Sequence, residues 1–304
     1  MAKPFADESP LIKRVKMSEM QGAVVEPPRE GRIVRSWRLT RAAWDVVRGD
    51  RSLLVLAVLS AITGVIGLAA VFILGGSFQH GRLKGDELAI FALIFAYPLT
   101  FISVFFNTAI AAAASAALEG RHLSVGEALA VPSRKLGTIA VWSLIAAVVG
   151  FLLEQATSRL PLGGSIAARF VGVGWSLASL FAIPIIALED CSAPEALKRS
   201  AHAVKKRWGE GFVGSLIIGA WAGLAMLLTI VVFVVAAVAT NNVPAVRDVV
   251  ILLGVFVFAA IAVLQLVVRQ TFAVALYRYA ADGSALGPFS EQDLQSPFAL
   301  KRRR

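Results

Sequence analysis

The chain has 304 residues, of which 57% are hydrophobic and only 16% charged, with a mean hydropathy of +0.73. That balance leaves too little polar surface to coat a water-soluble globule, so the fold class expected is all-α and polytopic, a membrane protein. The net charge of +10 is accounted for by the topology argued below, and no nucleic acid is implied.

Residues 1–30 mix charges of both signs with Pro4, Pro10, Pro27 and Pro28 and show no sustained periodicity, the composition of a disordered cytoplasmic tail. No short apolar core with a small-residue cleavage site precedes the first long apolar run, so the first helix is expected to stay in the mature protein. Ahead of that run Ile33, Trp37, Trp44 and Val47 fall on one helical stripe among Arg32, Arg35, Arg38, Arg41 and Arg48. This pattern predicts an amphipathic helix at the membrane interface.

Six apolar runs follow, at 53–74, 88–118, 136–153, 166–188, 212–239 and 249–268. Crossing a hydrocarbon core of about 30 Å takes roughly 20 helical residues, so six transmembrane helices are expected. The second run is longer than a perpendicular span needs and is expected to tilt, kink at Pro98 or protrude. Taking alternate connections, 25 Lys and Arg residues fall on one side and five on the other. Positive residues accumulate on the cytoplasmic side, which predicts a multi-pass protein with both termini cytoplasmic.

Two of the cytoplasmic connections repeat a motif. Ser-x-x-Glu-Ala-Leu occurs at 124–129 and 192–197, each time just after Ala-Leu-Glu at 117–119 and 187–189. Ser124 with Glu127, and Ser192 with Glu195, have the spacing of a capping box, which starts a helix by satisfying its first backbone N–H groups. After Ser192 the apolar positions Leu197, Ala201, Val204 and Trp208 alternate with Lys198, Arg199, Lys205 and Lys206, a second interfacial helix with Trp208 at headgroup depth. The copy after Ser124 is shorter, with Val125, Leu129 and Leu136 on one side and Pro132 interrupting it.

The transmembrane domain, 31–280, then divides into units 31–118, 119–188 and 189–280, each a short amphipathic cytoplasmic helix followed by a transmembrane hairpin. Trp142 and Trp221, which follow the two motif copies, favour true repetition; the generality of capping boxes and of Ala-Leu-Glu at helix ends is the competing explanation. Residues 281–304 read as a basic C-terminal tail.

The segments Phe181-Ala-Ile-Pro184-Ile-Ile-Ala-Leu-Glu189, Glu195-Ala-Leu-Lys-Arg-Ser200 and Lys206-Arg-Trp208-Gly209-Glu210 occur in order, with Ser36-Trp37, Phe106-Asn107 and Gly174-Trp175-Ser176 elsewhere. Together they resemble an uncharacterised prokaryotic family of six-span membrane proteins over about 31–280. More distantly, the hairpin layout is similar to membrane domains attached to some glycerophosphodiester phosphodiesterases, although no catalytic barrel is present here. The resemblance implies a fold and an inner-membrane location, and it brings no substrate or catalytic residue.

The remaining chemistry is sparse. Cys191 is the single cysteine and rules out an intrachain disulfide. His80, His122 and His202 lie in separate connections without zinc-helix spacing, so neither a metal nor a cofactor is expected. Polar groups within the spans are the candidate positions, because hydrocarbon penalises them: Asn107, Gln265 and Arg269. Asn107 is expected to make an interhelical hydrogen bond, or to line a polar pathway. Arg269 is expected to extend to the headgroups rather than to pair with Glu119 or Glu189. Pro98 and Pro184 read as static kinks or as hinges. The reading is a non-enzymatic protein that binds or organises membrane components, with anionic headgroups at the cytoplasmic face as its partner. A protein partner or a second copy stays open, and a small-molecule or lipid transporter or channel is the alternative.

Overall fold

The computed structural model of the chain describes residues 32–79, 86–159, 162–208, 220–240, 242–283, 285–290 and 294; at 32–39, 72, 74–79, 86–92, 159, 162–163, 207–208 and 220–225 only the backbone is described. The leader 1–30, His80, the start of the fifth apolar run, the basic terminus 301–304 and the side chains of Ile33, Trp37, Trp208 and Trp221 lie outside the described residues. Ser36–Arg304 forms one body, and of the segment Met1–Arg35 only 32–35, at the start of the first helix, are described.

Every regular element among the described residues is an α-helix: α1 (Arg32–Gly49), α2 (Arg51–Gln79), α3 (Asp86–Leu118), α4 (Val125–Arg134), α5 (Leu136–Arg159), α6 (Leu162–Ala178), α7 (Ala182–Leu188), α8 (Ala193–Trp208), α9 (Ala220–Ala239) and α10 (Pro244–Asp282). Five stretches are long and apolar enough to cross a membrane: Arg51–Val71, Leu93–Leu118, Leu136–Ser158, Gly164–Leu188 and Pro244–Asp282. These cover the first four expected runs and the sixth. Of the fifth, 212–219 lie outside the described residues, and α9 carries the shorter apolar stretch Met226–Ala239. The architecture is that of a multi-pass all-α membrane protein. Its outward faces are apolar, with Val55, Ile62, Val65 and Ile66 exposed on α2 and Leu252, Val255 and Phe256 exposed on α10, surface that lipid solvates and water does not.

The centre of the bundle is α3, which packs on α2, α4, α5, α7 and α10. Its sequence explains the role: Ala109, Ala111, Ala112, Ala113, Ala114 and Ala116 are all buried. In lipid there is little hydrophobic drive between helices, so small side chains that admit close van der Waals contact decide which helix becomes the hub. Around it α2 pairs with α3, α5 with α6 and α9 with α10. The α9–α10 contact depends on Gly254, where an added Cβ would meet Phe233 Cγ at 2.7 Å.

The fourth apolar run is not one helix, as the continuous stretch 166–188 had implied. It breaks into α6 and α7 around a turn at Ser179–Phe181, and Pro184 falls in the first turn of α7, where its missing N–H costs no intrahelical bond. The other two prolines do not interrupt their helices. Pro98 is exposed within the unbroken α3, and Pro132 sits in the last turn of α4, where its carbonyl accepts from Lys135 N at 2.9 Å. The buried stripe of α8 also departs from expectation. Ala193, Ala196, Ser200 and Val204 face inward, while Leu197 and Ala201 are only half-buried. The small residues win because α8 packs directly on α5, α6, α7 and α10, leaving less room than a lipid surface would.

Candidate functional site at the charged end of the bundle

The ionic side chains converge where the start of α2, the ends of α3 and α7, the start of α5 and the tail of α10 meet. Asp50, buried between α1 and α2, accepts from Ser52 N at 2.9 Å and Ser52 Oγ at 2.7 Å, which caps α2, and its second oxygen lies 3.2 Å from His122 Nδ1. The connection after α3 is thereby tied to the entry of α2.

Glu119, at the end of α3, accepts from Arg278 Nη2 at 2.5 Å and also from Arg121. Arg278 in addition donates to Ser115 Oγ at 3.0 Å. The hydrogen bond from Arg121 holds the Glu119 carboxyl below its ordinary range against an opposing effect of burial, and the charges of Arg278 and Arg121 add to the lowering. Glu189, at the end of α7, is the equivalent group. It accepts from the Tyr277 hydroxyl and from Arg199, whose Nε also donates to Glu195 at 2.9 Å. The two Ala-Leu-Glu ends therefore dock on consecutive residues of α10, Tyr277 and Arg278. The sequence carries a sign of this: Ala275-Leu276-Tyr277 repeats Ala117-Leu118-Glu119 and Ala187-Leu188-Glu189 with tyrosine in the glutamate's place.

Lys135, between α4 and α5, donates to the carbonyls of Ile186 at 3.0 Å and Glu189 at 2.6 Å, and lies 3.0 Å from Asp190 Oδ1. A helix of seven residues ends with unsatisfied carbonyls, and a cation there meets both the hydrogen-bonding need and the negative end of the helix dipole. The upstream end is handled differently. The break before α7 frees the Phe181 N–H, and fully buried Ser200 of α8 accepts it at 2.9 Å. Tyr277 lies against Phe181 with ring centroids 5.9 Å apart, so the same α10 residue reaches both ends of α7.

The two predicted caps differ. Ser124 and Glu127 form the reciprocal box, with Glu127 N donating to Ser124 Oγ at 3.3 Å and Ser124 N to Glu127 Oε2 at 2.8 Å. The Ser124 hydroxyl, which donates to Glu127 Oε2 at 2.7 Å, and then the Ser124 N–H lower the Glu127 pKa. Ser192 precedes α8 and its carbonyl accepts from Ala196 N at 2.9 Å, but Glu195 turns forward to Arg199. Asn107 is buried, yet its Nδ2 donates to Ser103 O at 2.8 Å on its own helix, so the interhelical bond expected of it gives way to a local one. Gln265 is half-buried and Arg269 exposed on α10; the carboxylates weighed as partners for Arg269 are taken by Arg278 and Arg199. Cys191 is half-buried beside this end, and burial pushes its thiol up. Among the described residues no group of three or more His, Cys, Asp and Glu is placed to hold a metal ion.

What faces outward is basic. Lys198, Lys205 and Lys206 are exposed on α8, opposite the stripe that packs on the bundle, and the carboxylates nearby are committed to Arg199, Arg278 and Lys135. The chemistry offered is the recognition of an anion.

A family model described as a family of unknown function (DUF6159) matches residues 88–287. The chain belongs to this family. The DUF6159 match starts within α3 and runs through the α10 tail to Gly287, so it takes in Glu119, Lys135, Glu189, Ser200, Tyr277 and Arg278 and leaves out α1, α2 and Asp50. It begins later than the expected resemblance over 31–280. No curated protein and no solved structure matches the chain.

Proposed function

We propose that this DUF6159 protein is a non-catalytic inner-membrane protein of six spans in three hairpins, with both termini cytoplasmic, whose cytoplasmic face binds and organises anionic membrane components. The observation that carries the reading is the setting of α8. Its small-residue face is buried against α5, α6, α7 and α10, which fixes Lys198, Lys205 and Lys206 outward beside the span ends. Basic residues so placed gain about 1 kcal/mol each near an anionic leaflet. The local hydrogen bond of Asn107 supports binding over transport, since an amide that lines a polar path keeps its donors for the solute.

Transport is the second reading, favoured by the break at Ser179–Phe181 in the fourth apolar run, because discontinuous helices are a recurring part of transporter binding sites. Purified protein in liposomes separates the two. Retention of anionic lipid without solute flux supports the proposal, whereas saturable flux abolished by Asn107→Leu overturns it. Reporter fusions at His80 or Asn241 that fluoresce as cytoplasmic proteins would overturn the orientation.

A further inference from the structure

A groove of about 490 Å³ runs between α8 and the tail of α10, lined by Lys198, Arg199, His202 and Lys206 on one side and by Ala280 and Ala281 on the other. Arg199, His202 and Lys206 recur at helical spacing along the flank of α8, so three donors point into one trough, and two alanines give it a floor without side-chain bulk. We propose that this groove is a seat for the phosphate headgroup of an anionic phospholipid, a site that rests on the membrane-organising reading and gives it an address.

The charges in and around the groove are uneven. Arg199 is held by Glu189 and Glu195, which fixes its position and offsets its charge. Asp282, on the α10 side, stands 3.8 Å from Arg278. Lys198 and Lys206 have no carboxylate partner among the described residues, so the attraction for an anion comes from them, while Arg199, held by its carboxylates, supplies oriented N–H donors. An ammonium pairs with phosphate as a point charge, and the guanidinium adds directional hydrogen bonds.

A lipid is favoured over a free phosphate by the groove's level. Tyr277 and Arg278 bind the carboxylates that end α7 and α3, and Ala280 follows them by less than one turn. The trough therefore opens where the apolar spans finish, at the depth of headgroups. Arg199 is part of the network that fastens α8 to α7, so the lysines are the residues to change.

The test uses the full-length protein in nanodiscs of equal parts phosphatidylcholine and phosphatidylglycerol, followed by gentle extraction and mass spectrometry of the lipid retained. The wild type retains phosphatidylglycerol preferentially. Retention falls about fivefold for each lysine removed in Lys198→Gln and Lys206→Gln and is kept in the arginine variants at both positions. A wild type without preference for phosphatidylglycerol overturns the organising reading itself. Preference that survives the double glutamine variant leaves that reading standing and overturns the groove. Release of the lipid by inorganic phosphate alone at matched ionic strength makes the seat one for a soluble anion and overturns the lipid assignment.

Discussion

The Phe181 N–H donates to Ser200 Oγ at 2.9 Å across nineteen residues of chain, so the peptide group freed by the break in the fourth apolar run is satisfied by a serine of the next helix. Both residues are fully buried, and a buried N–H without a partner costs roughly 1–3 kcal/mol. Ser200→Ala is expected to lose about that much stability in thermal unfolding of the detergent-solubilised protein. Ser133→Ala is the control, because exposed Ser133 bonds only to Leu129 O of its own helix. A Ser200→Ala midpoint equal to that of the control would show that α8 does not close the break.

At the other end of α7 the cation and its surroundings separate cleanly. Lys135 is 19% exposed and bonds three carbonyls, those of Ile186, Ala187 and Glu189, whereas Asp190 is 98% exposed. Exposed ion pairs contribute about 0–1 kcal/mol, and a partly buried cation at a helix C-terminus up to about 2 kcal/mol. Lys135→Met should therefore lower stability clearly and Asp190→Asn hardly at all. Equal effects in equilibrium unfolding would place the contribution in the ion pair and not in the helix end.

Much of this was legible in the sequence, and the residues that escaped share a cause. Runs of lipid-soluble residues announce helices because backbone groups in hydrocarbon must pair within the segment, and the Ser124–Glu127 box is local, so both read directly. The break at Ser179–Phe181 did not, since Phe, Leu and Ser fit a continuous apolar helix equally well and the compensating acceptor, Ser200, lies in another element. Lys135 looked like one more positive residue in a cytoplasmic connection, because its partners are backbone carbonyls that carry no sequence signature. Asn107 misled in the opposite sense: its residue type implied a distant partner, and Ser103 one turn away supplied a near one. Tyr277 was hidden by its identity, being the position where the third Ala-Leu end departs from glutamate.

The Glu119 network gives a pH dependence of definite sign. With its pKa held below the ordinary 4.5, folded Glu119 binds its proton at lower pH than the unfolded chain does. Its contribution is complete above 4.5 and is lost as pH falls from there through the lowered value. Glu127 is lowered too, by its hydrogen bonds with Ser124, so the comparison must be with Glu119→Gln in the same background. The stability difference between wild type and Glu119→Gln is expected to shrink on acidification through that window. A constant difference would mean that the carboxylate's charge contributes nothing.

Gly254 and Gly64 form a second contrast. A Cβ at Gly254 would come within 2.7–2.8 Å of three atoms of Phe233, including Cβ and Cγ, while one at Gly64 meets nothing within 4 Å. Overpacking typically costs about 1–3 kcal/mol, and alanine is the better residue in an open helix interior. Gly254→Ala should loosen α9 from α10, read as faster amide exchange in 226–239, and Gly64→Ala should leave stability unchanged or raised. Unchanged exchange in Gly254→Ala would mean that the phenyl ring yields freely.

Three buried polar atoms have no hydrogen-bond partner among the described residues: Ser143 Oγ on α5, and Gln270 Nε2 and Thr271 Oγ1 on α10. Thr271 is fully buried, and valine has nearly its shape without the hydroxyl. Replacing an unsatisfied hydroxyl by a methyl removes a desolvation cost and leaves the packing in place. Thr271→Val is therefore expected to raise the unfolding midpoint, by roughly 1 kcal/mol in stability, against the general tendency of core substitutions to destabilise. The same change at Thr108, whose hydroxyl donates to Val104 O at 2.8 Å, gives up a bond already made and should not stabilise. If Thr271→Val destabilises instead, the hydroxyl is engaged in the bilayer by a group such as an internal water. The bundle around Thr271 would then hold a polar seam rather than a dry one, which would favour the transport reading over the organising one.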